Sequence, residues 1–180
     1  MRNFIGFIIL LLAGILQISF LPHLTVLNIV PNLVLTLLII WAFSRPPEQS
    51  IIWAIMGGLI LDIFSASTFG IFTLLCILIT FLVSFVKKNF IGDVNFIFKI
   101  SIAFFGFLFF NLMYFLINKL FVVIHLESIS LNTTDYLLKI TPLEIFYSLI
   151  IFIILVKPLE KINAWISHYE YTSKVPTKVK

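Results

Sequence analysis

Six apolar runs, separated by proline, glycine and charged residues, dominate this chain and leave it little choice of solvent. They cover roughly Phe4–Leu21, Val26–Phe43, Ile51–Phe64, Phe69–Val86, Phe96–Ile117 and Leu143–Val156. Hydrophobic residues make up 61% of the 180 and charged residues 11%, against about 45–50% apolar in an ordinary soluble domain. A soluble domain of this length has neither the interior to hide so many apolar side chains nor the polar surface to cover them. The sequence therefore predicts an all-α integral membrane protein with six transmembrane helices.

A helix needs about 20 residues to cross the hydrocarbon core. The third and sixth runs are short by that measure, and Pro47–Ser50 can extend the third. Pro46-Pro47 suits a helix start, because proline at the first position gives up no donor the helix needs. The amino-terminal run follows Arg2 in the manner of a signal peptide, but it continues to Leu21 without a small-residue cleavage site. It reads as a retained first span.

Lysine and arginine orient the spans. With six crossings and a cytoplasmic amino terminus, ten of the 12 basic residues fall on the inner side. Only Lys119 and Lys139 fall outside, among Glu127, Asp135 and Glu144. Both termini are thus expected to be cytoplasmic. The outer segment Lys119–Pro142 reads as an extension of the fifth helix through Phe121-Val-Val-Ile, followed by a short interfacial helix after Thr134. Asn132-Thr-Thr within it matches a glycosylation acceptor, a weak three-residue pattern. Three regions are expected: a six-helix membrane domain over 1–157, an amphipathic helix on the inner membrane surface over 158–171, and a basic disordered tail over 172–180. In the second region Leu159, Ile162, Ile166 and Tyr169 share one face, with Trp165 near the headgroups. Anionic membrane lipid is the expected partner of the tail.

Asp62 is the only carboxylate between Glu48 and Asp93, and it lies inside an apolar run. A carboxylate at the centre of a lipid-embedded helix costs about 2.5–3.5 kcal/mol on insertion scales, so one kept there faces protein. Asp62 lies 15 residues past Pro47, about 22 Å along a helix that crosses a core about 30 Å thick. That depth matches Gln17 on the first span, Asn32 on the second and Asn111 on the fifth, so mutual pairing of these four is expected. Gly58, Asp62 and Ser65 share one face of the third helix, and Gly57-Gly58 permit close approach by a neighbour. Pro31 kinks or starts the second helix. Two readings of Asp62 stand: hydrogen bonding that ties the hairpin of the third and fourth spans to the second, or a polar binding site or proton relay.

Catalysis finds little support. Paired-aspartate membrane proteases need two intramembrane carboxylates, and Asp62 is taken as the one present, Glu144 being counted with the charges of the outer side. His23, His125 and His168 fall at interfaces or loops. No HExxH, CxxC or phosphate-binding glycine loop occurs, so no metal or cofactor is expected, nor a nucleic-acid partner. Cys76 is the single cysteine, which rules out an intramolecular disulfide and suits a small buried thiol.

Pro31-Asn32-Leu33 opens the second run, which ends near Trp41, and Gly58, Asp62, Ser65, Ser67-Thr68 and Gly70 surround the turn between the third and fourth. This pattern resembles the rod shape-determining protein MreD family, whose members carry a Pro-Asn/Asp pair and a Gly-x3-Asp…Gly hairpin. It extends over about residues 28–90, with length and loop order agreeing elsewhere. The resemblance implies a non-enzymatic component of the bacterial inner membrane that supports cell elongation. Its implied partners are an MreC-like scaffold and, through it, MreB-like filaments, a RodA-like glycosyltransferase and a penicillin-binding transpeptidase. It also implies the six-helix fold of the substrate-capture subunits of energy-coupling-factor transporters. A capture subunit for a vitamin-type molecule is accordingly the alternative function. Such subunits often dock their partner through alanines four apart on the first helix, where this chain has Gly6, Leu10 and Gly14.

Overall fold

The computed structural model describes residues 2–24, 29–65, 68–89, 95–124 and 139–174, with side chains described over 6–23, 29–65, 68–89, 95–124 and 139–162. The expected interfacial helix after Thr134, Asn132 and the tail beyond 174 lie outside the described residues. All regular elements among those described are helical. They are α1 (Arg2–Ile15), α2 (Leu33–Ser44), α3 (Pro47–Phe64), α4 (Ile71–Asn89), α5 (Phe96–Val123) and α6 (Thr141–Lys174). Past Ile15 the first helix widens into a π turn, Leu16–Phe20, and then tightens into a 3₁₀ turn, Leu21–Leu24.

Of the six helices among the described residues, five are long and apolar enough to cross a membrane; the sixth, α2, is apolar but shorter. The Val26–Phe43 run does not become one helix, because Pro31 biases Val30 to extended backbone and Asn32 then caps a new start. The resulting 12-residue helix is about 18 Å long. Every residue from Val34 to Phe43 is buried. A helix apolar on all sides belongs at the centre of its protein, and α2 packs against α1, α3, α4, α5 and α6.

The other helices carry the exposed large apolar residues, among them Phe85, Phe105, Ile97 and Ile154. Their apolar flanks face outward, as expected of a protein whose solvent is lipid. The starts and stops follow local chemistry. Pro47 stands at the first position of α3 after an extended Pro46, as the proline pair indicates. Helix α5 runs through Phe121 to Val123 and is capped by Ile124, matching the expected extension.

Residues Thr141–Lys174 form one helix that continues through Pro158; the side chains of its last part, 163–174, lie outside the described residues. Proline has no N–H to offer the carbonyl four residues earlier, that of Ile154. Leu159, just past it, is buried at 8% exposure, so packing holds the chain helical where the proline alone would favour a break. The stripe Gly6, Leu10, Gly14 on α1 turns inward: a side chain on Gly6 would strike Trp53, and one on Gly14 would strike Ile60, both on α3. It is an internal seam rather than an open face.

Alternating helix directions separate two ends. One carries Gln17, Asn32, Asp62, Asn111 and Asn118 and is called the amide end. The other carries Arg45, Lys87, Lys88, Lys99 and Lys157 and is called the basic end.

Candidate functional site

The start of α4 explains Asp62. Gly70 precedes the helix with φ of 97°, in the left-handed region that glycine adopts without strain. Its carbonyl accepts from Leu74 N at 3.0 Å, so it occupies the cap position but has no side chain to bond the next free amides. Asp62, from α3, does so instead. Its Oδ1 accepts from Phe72 N and its Oδ2 from Thr73 N, each at 3.0 Å, and the Thr73 hydroxyl also donates to Oδ2. Asp62 is 3% exposed. The positive end of the helix dipole favours a carboxylate there. Gly58, one turn earlier, brings the two backbones together: a Cβ there would lie within 2.9 Å of Thr73 N and closer still to Thr73 Cα. Ser65 caps the end of α3, its N–H on the Leu61 carbonyl and its hydroxyl on that of Asp62 at 3.4 Å. The Gly58, Asp62, Gly70 pattern is therefore a joint between two antiparallel helices, with the two acceptor oxygens of one carboxylate matched to two adjacent amides.

The start of α2 is built on the same principle from more sources. A helix end buried without partners for its first amides would carry a penalty of about 1–3 kcal/mol for each. Asn32 N donates to Ser148 Oγ on α6 at 3.0 Å, and Val34 N donates to Gln17 Oε1 on the π turn at 2.9 Å. Leu35 N donates to Asn32 Oδ1 at 3.0 Å and Leu33 N to the Pro31 carbonyl at 3.1 Å. The Thr36 hydroxyl donates back to the Asn32 carbonyl at 2.7 Å. Four consecutive amides thus find acceptors from three segments. The widened π turn at Leu16–Phe20 sets Gln17 at this helix start; such bulges often mark special positions.

A third group joins α5 and α6. Asn111, 2% exposed, donates to the Phe107 carbonyl at 3.2 Å and hydrogen-bonds the Glu144 carboxylate. Glu144 lies in the first turn of α6, inside a segment long and apolar enough to span. This corrects the conclusion that Asp62 is the lone acid in a segment able to span. The expected mutual pairing is corrected too. Asp62 bonds α4, Gln17 and Asn32 serve α2, and Asn111 serves Glu144 and its own helix. They share a depth because several helices begin there, each needing acceptors. Ser148, Thr73 and Glu144 escaped the sequence reading because one polar residue in an apolar run does not reveal which neighbour it faces.

The basic end holds a group that the sequence shows only as a loop charge. Arg45, 6% exposed, places its guanidinium 4.6 Å from the ring centre of Trp41 and 5.0 Å from that of Trp53. The two rings meet edge to face at 5.1 Å. Aromatic faces stabilise a cation by about 0.5–2 kcal/mol each, more when water is excluded. The Lys87 ammonium donates to the Arg45 carbonyl at 3.3 Å, and Lys99 pairs with Glu160 at 2.7 Å.

The arrangement is one of buried joints, and comparison with known proteins places it in a family. A family model described as rod shape-determining protein MreD matches residues 1–164. The chain belongs to the MreD family. No curated protein and no solved structure matches it. Membership covers nearly the whole chain and implies a role in determining rod shape. In this MreD-family chain the match takes in both capped helix starts, the Trp41–Arg45–Trp53 stack and the five long apolar helices. The carboxy-terminal residues after 164 lie beyond it.

Proposed function

We propose that this chain is a non-enzymatic inner-membrane component of the bacterial cell-elongation machinery, which binds an MreC-like scaffold and so supports lateral peptidoglycan synthesis. The match to the MreD family over residues 1–164 carries this reading. The polar chemistry supports it. Asp62, Gln17, Asn32 and Ser148 are engaged with backbone amides at the starts of α4 and α2, where they organise packing rather than address a substrate. Through the scaffold the chain would connect MreB-like filaments to a RodA-like glycosyltransferase and a penicillin-binding transpeptidase. The concentration of lysine and arginine at the basic end supports a cytoplasmic location for that end and for both termini.

Purification of the tagged full-length chain from mild detergent is expected to recover an MreC-like partner. Recovery of a transporter ATPase and a bound vitamin in its place would overturn the proposal. A variant Asp62→Asn that remains inserted and folded is expected to keep the partner. Loss of partner binding with the fold intact would show that Asp62 does more than hold α4.

A further inference from the structure

We infer that the groove between α4 and α5 is a binding site for an anionic phospholipid, one acyl chain lying in the groove and the phosphate held at its basic end by Lys87 and Lys99. This inference stands apart from the family assignment. The groove encloses about 520 Å³ and is lined by Ile79, Val83 and Val86 on α4 and by Phe98, Phe105 and Phe109 on α5. Gly106 forms part of its lining; a Cβ there would lie 3.3 Å from Ile39 Cδ1 of α2, so the glycine lets α5 sit close against the core behind the groove.

Size selects the occupant. The lining on α5 extends from Phe98 to Leu112, about 21 Å at the rise of a helix. A trough of that length and volume is narrower than a helix about 10 Å across, which could lie over it but not in it. A single hydrocarbon chain fits within, and the length exceeds half of a hydrocarbon core about 30 Å thick.

Charge selects the headgroup. The lining residues Val86 and Phe98 are followed directly by Lys87 and Lys99 at the same end of the two helices. Lys87 gives one hydrogen bond to the Arg45 carbonyl and, as an ammonium, has three donors. Lys99 meets Glu160, while Arg45 adds a further cation behind Lys87. Among the described residues, positive charge therefore exceeds negative where the groove ends, and a ligand bearing both an anion and a hydrocarbon chain answers both features. Lysine stems lie along apolar surface while the ammonium reaches the headgroup level.

The test is native mass spectrometry of the full chain in neutral detergent, mixed with equal amounts of phosphatidylglycerol and phosphatidylcholine of identical chains. Phosphatidylglycerol is expected to be retained roughly tenfold more, in keeping with attraction to two nearby lysines. Lys87→Gln is expected to reduce that preference severalfold. Ser101→Phe, at an exposed groove position, is expected to reduce retention of both lipids without loss of helix content. Equal retention of the two lipids by the unaltered chain would overturn the proposal. So would full retention by Ser101→Phe, or acyl-chain photolabelling in vesicles that misses the groove residues of α5.

Discussion

Gly70 and Asp62 divide between them the work that one capping residue usually does alone. The backbone at Gly70 needs a positive φ, which excludes most side chains with a capping oxygen, and Asp62 supplies the missing acceptor from α3. The arrangement needs two acceptor oxygens. Asn in place of Asp62 offers one oxygen and presents an NH2 group to the other amide, which leaves a buried donor without its acceptor. Asp62→Asn is therefore expected to lower stability by about 1–3 kcal/mol, and Asp62→Ala by more, as read from unfolding of the purified protein in detergent. Gly58 and Gly57 should behave differently despite being neighbours. A methyl on Gly58 meets the backbone of Thr73, which cannot yield, whereas one on Gly57 meets side-chain atoms of Leu38 and Val34 at 3.2 Å. Gly58→Ala is expected to be the more damaging of the two in the same measurement.

Helix α2 owes its place to the elements around it. Isolated helices shorter than about 12–15 residues are marginal even in water, and α2 has 12. Its stability comes from complete burial and from amides satisfied by α1, by its own cap and by α6. Ser148→Ala removes the acceptor for Asn32 N from a buried site, and a loss of about 1–3 kcal/mol is expected. Gln17→Leu should cost a similar amount, and the double variant should show non-additivity if the two bonds hold α2 jointly. Helix α6 presents the opposite case. Pro158 interrupts the ladder of a 34-residue helix, so Pro158→Ala restores a donor and is expected to raise the unfolding temperature.

At the scale of the molecule, the chain is organised by two ends and an apolar girth. The amide end gathers the starts of α2, α4 and α6 and their acceptors; the basic end gathers cations, one of them held between two tryptophans. Lysine at position 45 keeps the charge but not the flat guanidinium that lies against two rings, so Arg45→Lys is expected to destabilise the α2–α3 corner even though the charge count is unchanged. Sidedness can be read by labelling. Cys76 is fully buried and should stay silent to a membrane-impermeant thiol reagent. Lys119→Cys, exposed near the amide end, should label in intact cells, and Lys88→Cys, exposed at the basic end, only after permeabilisation. The reverse pattern would invert the proposed topology.

Composition and the succession of apolar runs were sufficient, without tertiary structure, to establish a helical membrane protein, because no other structure buries 61% hydrophobic residues in a chain this short. The start at Pro47 and the extension of α5 to Val123 were legible for the same kind of reason: each rests on local backbone chemistry within one helix. What lay beyond reach was the pairing of polar groups far apart in sequence. A lone Asn, Gln or Glu in an apolar run shows that a partner exists, yet only packing decides which helix supplies it. Tertiary structure therefore turned a supposed cluster of four into separate caps, moved Glu144 into a helix beside Asn111, and drew Arg45 out of a loop and between two tryptophans. It also decided that α2 sits at the centre, because an apolar run has the same composition whether its neighbours are lipid or protein, and only the surrounding helices tell the two apart.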